Sequence, residues 1–293
     1  MSAPWWTEPQ VDFFGLDSKD QYVYRYRSTE VAFIELRSRK LRMSSFTRMN
    51  DPKETADWKF DLWLGDHKLD ESLRLEIEES GTKFAKDHAK LLCTTEDADA
   101  ALGRGVNKIW GRGFSRPRMW QQYADNHRGV CMIFDRAALH QAILASRPSQ
   151  SRLIYGPVYY NNTPRTSYMH PTLNPFMLDY GRVLAVGLQQ AVAEHTKQHF
   201  PTFFFEKALD WQSEKEYRWI IWDNELPQLE FDFGDALKGL VAGPAFDADQ
   251  WEELQDLCAA DKVLMTQIYW LNGSPEMKFR LPSSAARAKP EEV

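Results

Sequence analysis

The alternation of apolar and polar residues along the chain predicts short strands separated by helices of unequal length. Residues 21–29, QYVYRYRST, alternate aromatic with cationic side chains and predict a strand. Ser28 or Thr29 then caps a predicted helix through EVAFIELRSRK, with an acid in its first turn and bases in its last. Apolar runs predict further strands at 129–135, 155–162 and 216–222.

Stretches rich in helix-forming residues predict helices at 70–91, 136–146, 175–200 and 247–263. Residues 96–118 are rich in glycine and predict a long loop. Strands and helices follow one another irregularly, and no GxGxxG follows a strand. We therefore expect an α+β fold with a mixed, mainly antiparallel sheet and flanking helices. We expect a single domain over residues 1–281 and a flexible polar tail over 282–293.

Composition limits the possible partners and the cellular location. The net charge of -6 and the pI near 5.7 give no general attraction to nucleic acid or to anionic membranes. Cys93, Cys131 and Cys258 are too far apart for a disulfide framework or a CxxC metal clip. The chain has no run of 18 apolar residues and no secretion signal at its start. We expect a cytoplasmic protein without a membrane partner.

The segment WQSEKEYRWIIW, residues 211–222, carries charge into an apolar strand. Side chains two apart on a strand face the same way, so Glu214, Glu216 and Arg218 are predicted to share one side. A carboxylate entering a core needs a partner, and Arg218 fits that structural role for Glu216. The alternative is that these acids belong to a catalytic site.

Two other segments carry polar residues that fit either a structural role or a functional one. MNDPKE, with Asn50 and Asp51 before a proline, reads as a structural corner or as part of a site. RMWQQYADNHRGVCMIFD places Asp125 and His127 at the mouth of a strand, where they fit a hydrogen-bonding cluster or an ordinary turn.

These segments together resemble a bacterial family known as domain of unknown function 2971, from about residue 22 to about 245. The residues that carry the likeness are Tyr24-Arg25-Tyr26-Arg27, Asn50-Asp51-Pro52, Glu54, Met119-Trp120, Tyr123-Ala124-Asp125, His127-Arg128-Gly129-Val130, Lys207, Trp211 and Glu214-Lys215-Glu216-Tyr217-Arg218. The chain departs from the family pattern at Lys53, where phenylalanine is common. The glycine-rich stretch 100–116 is also longer than in the family, so its contribution to a site is not carried over.

The order of these elements is similar to that of ADP-ribosyltransferases, which split the nicotinamide–ribose bond of NAD and have a split sheet around a cleft. That resemblance implies that Arg25 holds the cofactor, that Glu216 is the catalytic carboxylate and that Glu214 activates the acceptor. Arginines suit the diphosphate, so Arg27 joins Arg25, and Tyr26 or Tyr123 stacks on the nicotinamide. The full predicted NAD-binding set is Tyr24, Arg25, Tyr26, Arg27, Asn50, Asp51, Trp120, Tyr123, His127 and Arg218.

The expected function is therefore an NAD-dependent ADP-ribosyltransferase or NAD glycohydrolase, of the toxin or phage-defence type. Its expected partners are NAD as substrate, a protein or nucleic-acid acceptor, and an antitoxin or other defence partner. Two alternatives remain. One is a metal-dependent nuclease or hydrolase in which Mg²⁺ or Mn²⁺ is held by Asp51, Glu54, Asp125, His127 and Glu216. The other is a non-enzymatic interaction protein of a defence system.

Overall fold

The computed structural model describes residues 21–98, 109–162, 170–222 and 228–278. The strands are Tyr22–Arg27 (β1), Lys40–Ser45 (β2), Asp61–Trp63 (β3), Ala89–Thr95 (β4), Val130–Asp135 (β5), Arg152–Pro157 (β6), Tyr159–Tyr160 (β7), Met177–Asp179 (β8), Glu206–Lys207 (β9), Glu216–Trp222 (β10), Leu229–Asp232 (β11), Leu237–Ala242 (β12), Leu264–Leu271 (β13) and Ser274–Lys278 (β14). The helices are Thr29–Ser38 (α1), Pro52–Thr55 (α2), Glu71–Lys86 (α3), Pro117–Tyr123 (α4), Arg136–Ser146 (α5), Tyr180–Val186 (α6), Leu188–Gln198 (α7), Phe200–Phe204 (α8) and Trp251–Ala260 (α9). None of the helices within these described ranges has the length and apolar character needed to cross a membrane.

Strand pairing is mainly antiparallel, as in β1 with β5, β6 with β10 and β13 with β14, whereas β12 and β13 run parallel. With the helices, this confirms the predicted α+β class. The chain divides into two compact units. Unit 1 is formed by the described parts of Met1–Leu41, Thr94–Ser146 and Glu230–Val293, and unit 2 by those of Arg42–Cys93 and Arg147–Leu229. The single domain and the split sheet around a cleft stay predictions, and the tail 282–293 lies outside the described residues.

Unit 1 is built around β5, which pairs with β1 on one side and with β12 on the other. The chain leaves β1 into α1, where the side chain of Ser28 accepts a hydrogen bond from the backbone of Val31 at 3.4 Å. Helix α1 ends at Ser38, and the left-handed backbone of Arg39 closes its last turn. These observations confirm the predicted strand and helix and select Ser28 as the cap.

Unit 2 has a core rich in aromatic side chains. Trp58 stacks on Phe203 with ring centroids 4.6 Å apart, and Phe46 meets Phe204 edge to face at 4.9 Å. Strand β10 pairs with β6 from Tyr217 to Trp222 and also with β4. All seven residues of β10 are buried, so any charge on this strand must be neutralised by neighbouring side chains.

Four of the predicted elements were wrong in extent. The strand expected at 155–162 is divided between β6, which begins at Arg152, and β7. The helix expected at 175–200 is interrupted, because β8 occupies its start and Gly187, with φ of 85°, separates α6 from α7. The helix expected at 70–91 stops at Lys86, and residues from Ala89 onward form β4. The loop expected at 96–118 gives way to α4 at Pro117, while residues 99–108 lie outside the described ranges.

Candidate functional site

Two glutamates of unit 2 converge on one lysine by a bend in the chain. Glu214 ends a 3-10 helix, Leu209–Glu214, and Glu216 begins β10. Between them Lys215 adopts a left-handed conformation with φ of 46°. The prediction that Glu214 and Glu216 lie on one strand was therefore wrong. The bend nevertheless brings both carboxylates to Lys207 on β9, whose Nζ lies 2.7 Å from Glu214 Oε2 and 3.2 Å from Glu216 Oε2.

Arg218 holds Glu216 from the other side, as the sequence predicted for a structural partner. Its Nε lies 2.7 Å from Glu216 Oε1, and its Nη2 lies 2.9 Å from Glu216 Oε2. The third nitrogen, Nη1, donates to the carbonyl of Phe204 at 2.6 Å. This two-pronged contact fixes the orientation of the Glu216 carboxylate.

A third glutamate, Glu54, joins this group from a distant part of the chain. It lies on α2 with an exposed fraction of 1%, and its Oε1 lies 2.5 Å from Nη2 of Arg218. The same Nη2 contacts Glu216, so the contacting oxygens of Glu54 and Glu216 lie within about 5.4 Å of each other. Beyond this ion pair, neither of the two buried oxygens of Glu54 has a hydrogen-bond partner among the described residues. We call Glu54, Lys207, Glu214, Glu216 and Arg218 the carboxylate cluster.

The cluster holds two of its carboxyl groups in opposite protonation ranges. Burial raises the pKa of Glu54 to about 7, because the nearby charge of Arg218 only partly offsets the loss of water. Burial acts on Glu216 in the same direction, but Arg218 and Lys207 outweigh it and lower its pKa to about 2. Near neutral pH Glu216 is thus ionised while Glu54 is protonated in part.

Aromatic and sulfur-containing side chains of unit 2 surround the cluster. The ammonium of Lys207 lies over the ring of Trp211, 4.7 Å from its centroid. The hydroxyl oxygen of Tyr160 accepts a hydrogen bond from the backbone N–H of Glu216 at 2.8 Å. Cys93, on β4, donates toward Glu216 and helps to lower its pKa. Glu216 is therefore fixed through both its backbone and its carboxylate.

Asp51 and Asn50, predicted to bind NAD, take different positions. Asp51 is buried and caps α2, since Oδ1 accepts from the backbone N–H of Lys53 at 2.9 Å. Its Oδ2 accepts from the backbone N–H of Ala208 at 3.0 Å, next to Lys207. Asp51 thereby fastens the segment that carries Glu54 to the segment that carries Lys207, whereas Asn50 is exposed.

The predicted cofactor-holding arginines of unit 1 contact a carboxylate. Nε of Arg27 lies 3.0 Å and 3.1 Å from the two oxygens of Glu35, and Nη2 of Arg25 lies 3.8 Å from Glu35 Oε1. Arg25 and Glu35 are buried, while Arg27 is half-buried. The diphosphate-binding role of the two arginines stays a prediction.

The predicted aromatic contacts of unit 1 form part of its core. Tyr26 meets Trp120 edge to face at 5.0 Å and donates to the carbonyl of Gly113 at 2.6 Å. Tyr24 is fully buried beside Phe114. The positions of these rings give no support to stacking on a nicotinamide. Tyr123 is half-buried at the end of α4, and its predicted role also stays open to test.

Asp125, Asn126 and His127 form a turn in which three successive residues have positive φ values of 45°, 51° and 73°. A hydrogen bond helps to hold the turn, because the carbonyl of His127 accepts from the backbone N–H of Ala245 at 3.1 Å. Asp125 pairs with Arg128 at the surface. Over the described ranges, no three His, Cys, Asp or Glu side chains are grouped as metal ligands. The metal-dependent alternative stays a prediction.

The sequence located part of the cluster and missed its most unusual member. Glu214, Glu216 and Arg218 were predicted site residues, and the structure brings them together. Glu54 and Lys207 had no role beyond the family pattern and, for Glu54, a proposed metal contact. The one sequence signal for Glu54 was its position in MNDPKE, two residues after the proline of a predicted turn. Nothing in that segment indicates that the acid is buried.

Comparison with known proteins gives one match. No curated protein and no solved structure gives a significant match to the chain, so the resemblance to ADP-ribosyltransferases stays a prediction. Residues 119–219 match the model of a family described as "Protein of unknown function (DUF2971)". That segment includes the cluster members on β9 and β10, and the match supports the resemblance of this chain to domain of unknown function 2971.

Proposed function

We propose that the protein cleaves the nicotinamide–ribose bond of NAD and that the carboxylate cluster of unit 2 is its catalytic centre. The observation that carries this proposal is the pair of neighbouring buried carboxyl groups on Arg218, one with a pKa of about 7 and the other of about 2. Carboxyl groups whose pKa values are pushed apart in this way commonly divide acid–base and charge-stabilising roles in enzymes.

The chemistry of the bond explains why an ionised carboxylate is needed. When the bond between ribose C1′ and the pyridine nitrogen breaks, its electron pair goes to the nitrogen and nicotinamide leaves as a neutral molecule. Positive charge then develops on the ribose, as in glycoside hydrolysis. A carboxylate beside C1′ stabilises that charge. Glu216 is suited to this role because its lowered pKa keeps it ionised at neutral pH.

The charge balance of the cluster favours the same transition state when Glu54 is ionised. Among its described members, three carboxyl groups face two cations, Lys207 and Arg218. With all acids ionised the cluster carries one net negative charge, and with Glu54 protonated it is neutral. The ion pairs also hold Glu216 rigidly, so little reorganisation is needed as charge develops.

The test measures nicotinamide released from NAD by the wild type, by Glu216→Gln and by Glu216→Asp. We expect release by the wild type and a loss of about 100-fold or more in Glu216→Gln, the scale for removing one preorganised electrostatic contact. Glu216→Asp retains the charge and should keep more activity than Glu216→Gln. Glu76→Gln, which removes an exposed carboxylate on α3 of the same unit, is the matched control and should behave as the wild type.

Circular dichroism and thermal melting show whether each variant is folded before its activity is compared. Folded Glu216→Gln with wild-type release would contradict the proposal. The same conclusion follows if the wild type releases no nicotinamide either alone or with a bacterial lysate that supplies acceptors.

The proposal extends to the expected toxin or phage-defence setting. An enzyme that splits NAD lowers the NAD content of the cell that makes it. Expression of the wild type in a bacterial host should therefore slow growth and lower cellular NAD, whereas Glu216→Gln should do neither. Slow growth with unchanged NAD would point to a different activity.

A further inference from the structure

We infer that the acceptor at this site is water and that Glu54 takes the proton from the attacking water molecule. This inference rests on the proposed cleavage of NAD and names the second substrate of the same site. It departs from the resemblance to ADP-ribosyltransferases, which gives the acceptor-activating role to Glu214.

Glu214 is poorly suited to activate an acceptor. Its Oε2 lies 2.7 Å from the ammonium of Lys207, and both side chains are about 4% exposed. Taking up a proton from an acceptor would neutralise Glu214 and leave the buried ammonium with less compensation, which is costly away from water. Lys207 thus turns Glu214 into a fixed counter-ion that orients the lysine toward Glu216.

Glu54 has the features that a base for water requires. Oε1 forms an ion pair with Arg218, and beyond that contact neither of the two buried oxygens has a hydrogen-bond partner among the described residues, which leaves Oε2 for a polar group. Buried polar oxygens nearly always bind a polar group, and a single water molecule is the smallest that can do so. Because Glu54 and Glu216 both contact Nη2 of Arg218, a water molecule bound to Glu54 would lie near a ribose placed against Glu216.

The groups around Glu54 set the balance between its protonated and ionised forms. The charged and titratable groups that influence it are Arg218 and Glu216 on β10, Lys207 on β9, Lys86 on α3 and Cys93 on β4. Burial and the negative charge of Glu216 favour the protonated form, while Arg218 and Lys207 favour the ionised form. The balance leaves a base that is ionised above neutral pH and can accept one proton.

The proposed step is balanced. The C1′–N bond breaks and its electron pair goes to nicotinamide, a water oxygen forms the new bond to C1′, and one water proton passes to the free oxygen of Glu54. Glu54 later releases that proton to solvent. The overall products of NAD and water are ADP-ribose, nicotinamide and one proton.

The first experiment follows both halves of NAD, labelled in its adenine, during incubation with protein and bacterial lysate. We expect one free ADP-ribose for each nicotinamide released. Label attached to protein or nucleic acid, with nicotinamide released, would overturn the water inference and leave the proposed bond cleavage standing. Absence of any nicotinamide release would instead contradict the proposed function itself.

The second experiment tests Glu54 with a nucleophile that needs no base. We expect Glu54→Gln to slow nicotinamide release about 100-fold or more, as for loss of a general base. Azide should restore release in Glu54→Gln at least about tenfold and form azido-ADP-ribose, because an anion needs no proton removed. Azide should not restore Glu216→Gln. Unchanged release by Glu54→Gln, or a slowed variant that azide does not rescue, would overturn the role of Glu54.

Discussion

The replacement of Glu54 by glutamine should change how stability depends on pH. The pKa of Glu54 rises from its ordinary value of 4.5 to about 7 in the folded protein. Below pH 4.5 the group is protonated in both states, whereas between 4.5 and 7 only the folded state keeps the proton. Stability from this group is therefore present at low pH and lost as pH rises toward 7. At about 1.4 kcal/mol per pH unit, the loss is about 3 kcal/mol.

Other buried groups also make stability depend on pH. The quantity to compare is therefore the difference in unfolding free energy between Glu54→Gln and the wild type. The lowered pKa of Glu216, about 2, contributes stability that is lost only as pH falls below 4.5. Burial lowers the pKa of His195 to about 4, so its contribution to stability grows as pH rises toward 6.5. His195 is present in both the wild type and Glu54→Gln, and its contribution cancels when the two are compared.

The assay is urea denaturation of the wild type, Glu54→Gln and the control Glu76→Gln at pH 5 and pH 8. Relative to the wild type, Glu54→Gln should gain about 2.5 kcal/mol of unfolding free energy between the two pH values, because part of the loss has already occurred at pH 5. Glu76→Gln, with its exposed side chain, should show no comparable gain. If the difference in unfolding free energy between Glu54→Gln and the wild type changes by less than about 1 kcal/mol from pH 5 to pH 8, the pKa of Glu54 is not raised to near neutral and the reasoning is refuted.

Two further substitutions test the contacts that hold the cluster. Arg218→Met should lower the free energy of unfolding by about 3–5 kcal/mol, because it leaves Glu216 buried without its main partner. The same change at exposed Arg182 should have far less effect, and equal losses would contradict the account. Asp51→Ala should cost about 2–4 kcal/mol, since it removes both the cap of α2 and the acceptor for Ala208. Asp51→Asn keeps one acceptor and should lose less in urea denaturation, whereas equal losses would show that these hydrogen bonds contribute little.

Local patterns were sufficient for the elements whose ends are fixed by nearby residues. The alternation in YVYRYR gave β1, and Ser28 with its following acid gave the start of α1. Both signals act within one turn or one strand, so they depend little on tertiary contacts.

The helix expected at 175–200 shows where such reasoning fails. Helix-forming residues dominate the stretch, but Asp179 caps a new helix by accepting from the backbone N–H of Arg182 at 3.1 Å. Gly187 then adopts a positive φ that ends α6. Single aspartate and glycine residues also occur inside continuous helices. The sequence alone therefore does not show that Asp179 and Gly187 interrupt this one.

The candidate site was predictable only in part for a related reason. Glu216 and Arg218 share a strand face, which period-two alternation shows directly. Glu54 reaches the same arginine from α2, far away in the chain, and no local pattern links the two. Lys207 was visible as one residue of a family pattern, yet its bridge between two glutamates depends on the left-handed backbone of Lys215.

The most direct test of the central claim is a time course of nicotinamide formation from NAD at pH 8 by wild-type protein and by folded Glu216→Gln. The account predicts steady formation by the wild type and a rate lower by about 100-fold or more in the variant. Equal rates, or no nicotinamide from the wild type with water or lysate acceptors, would contradict a catalytic role for the carboxylate cluster.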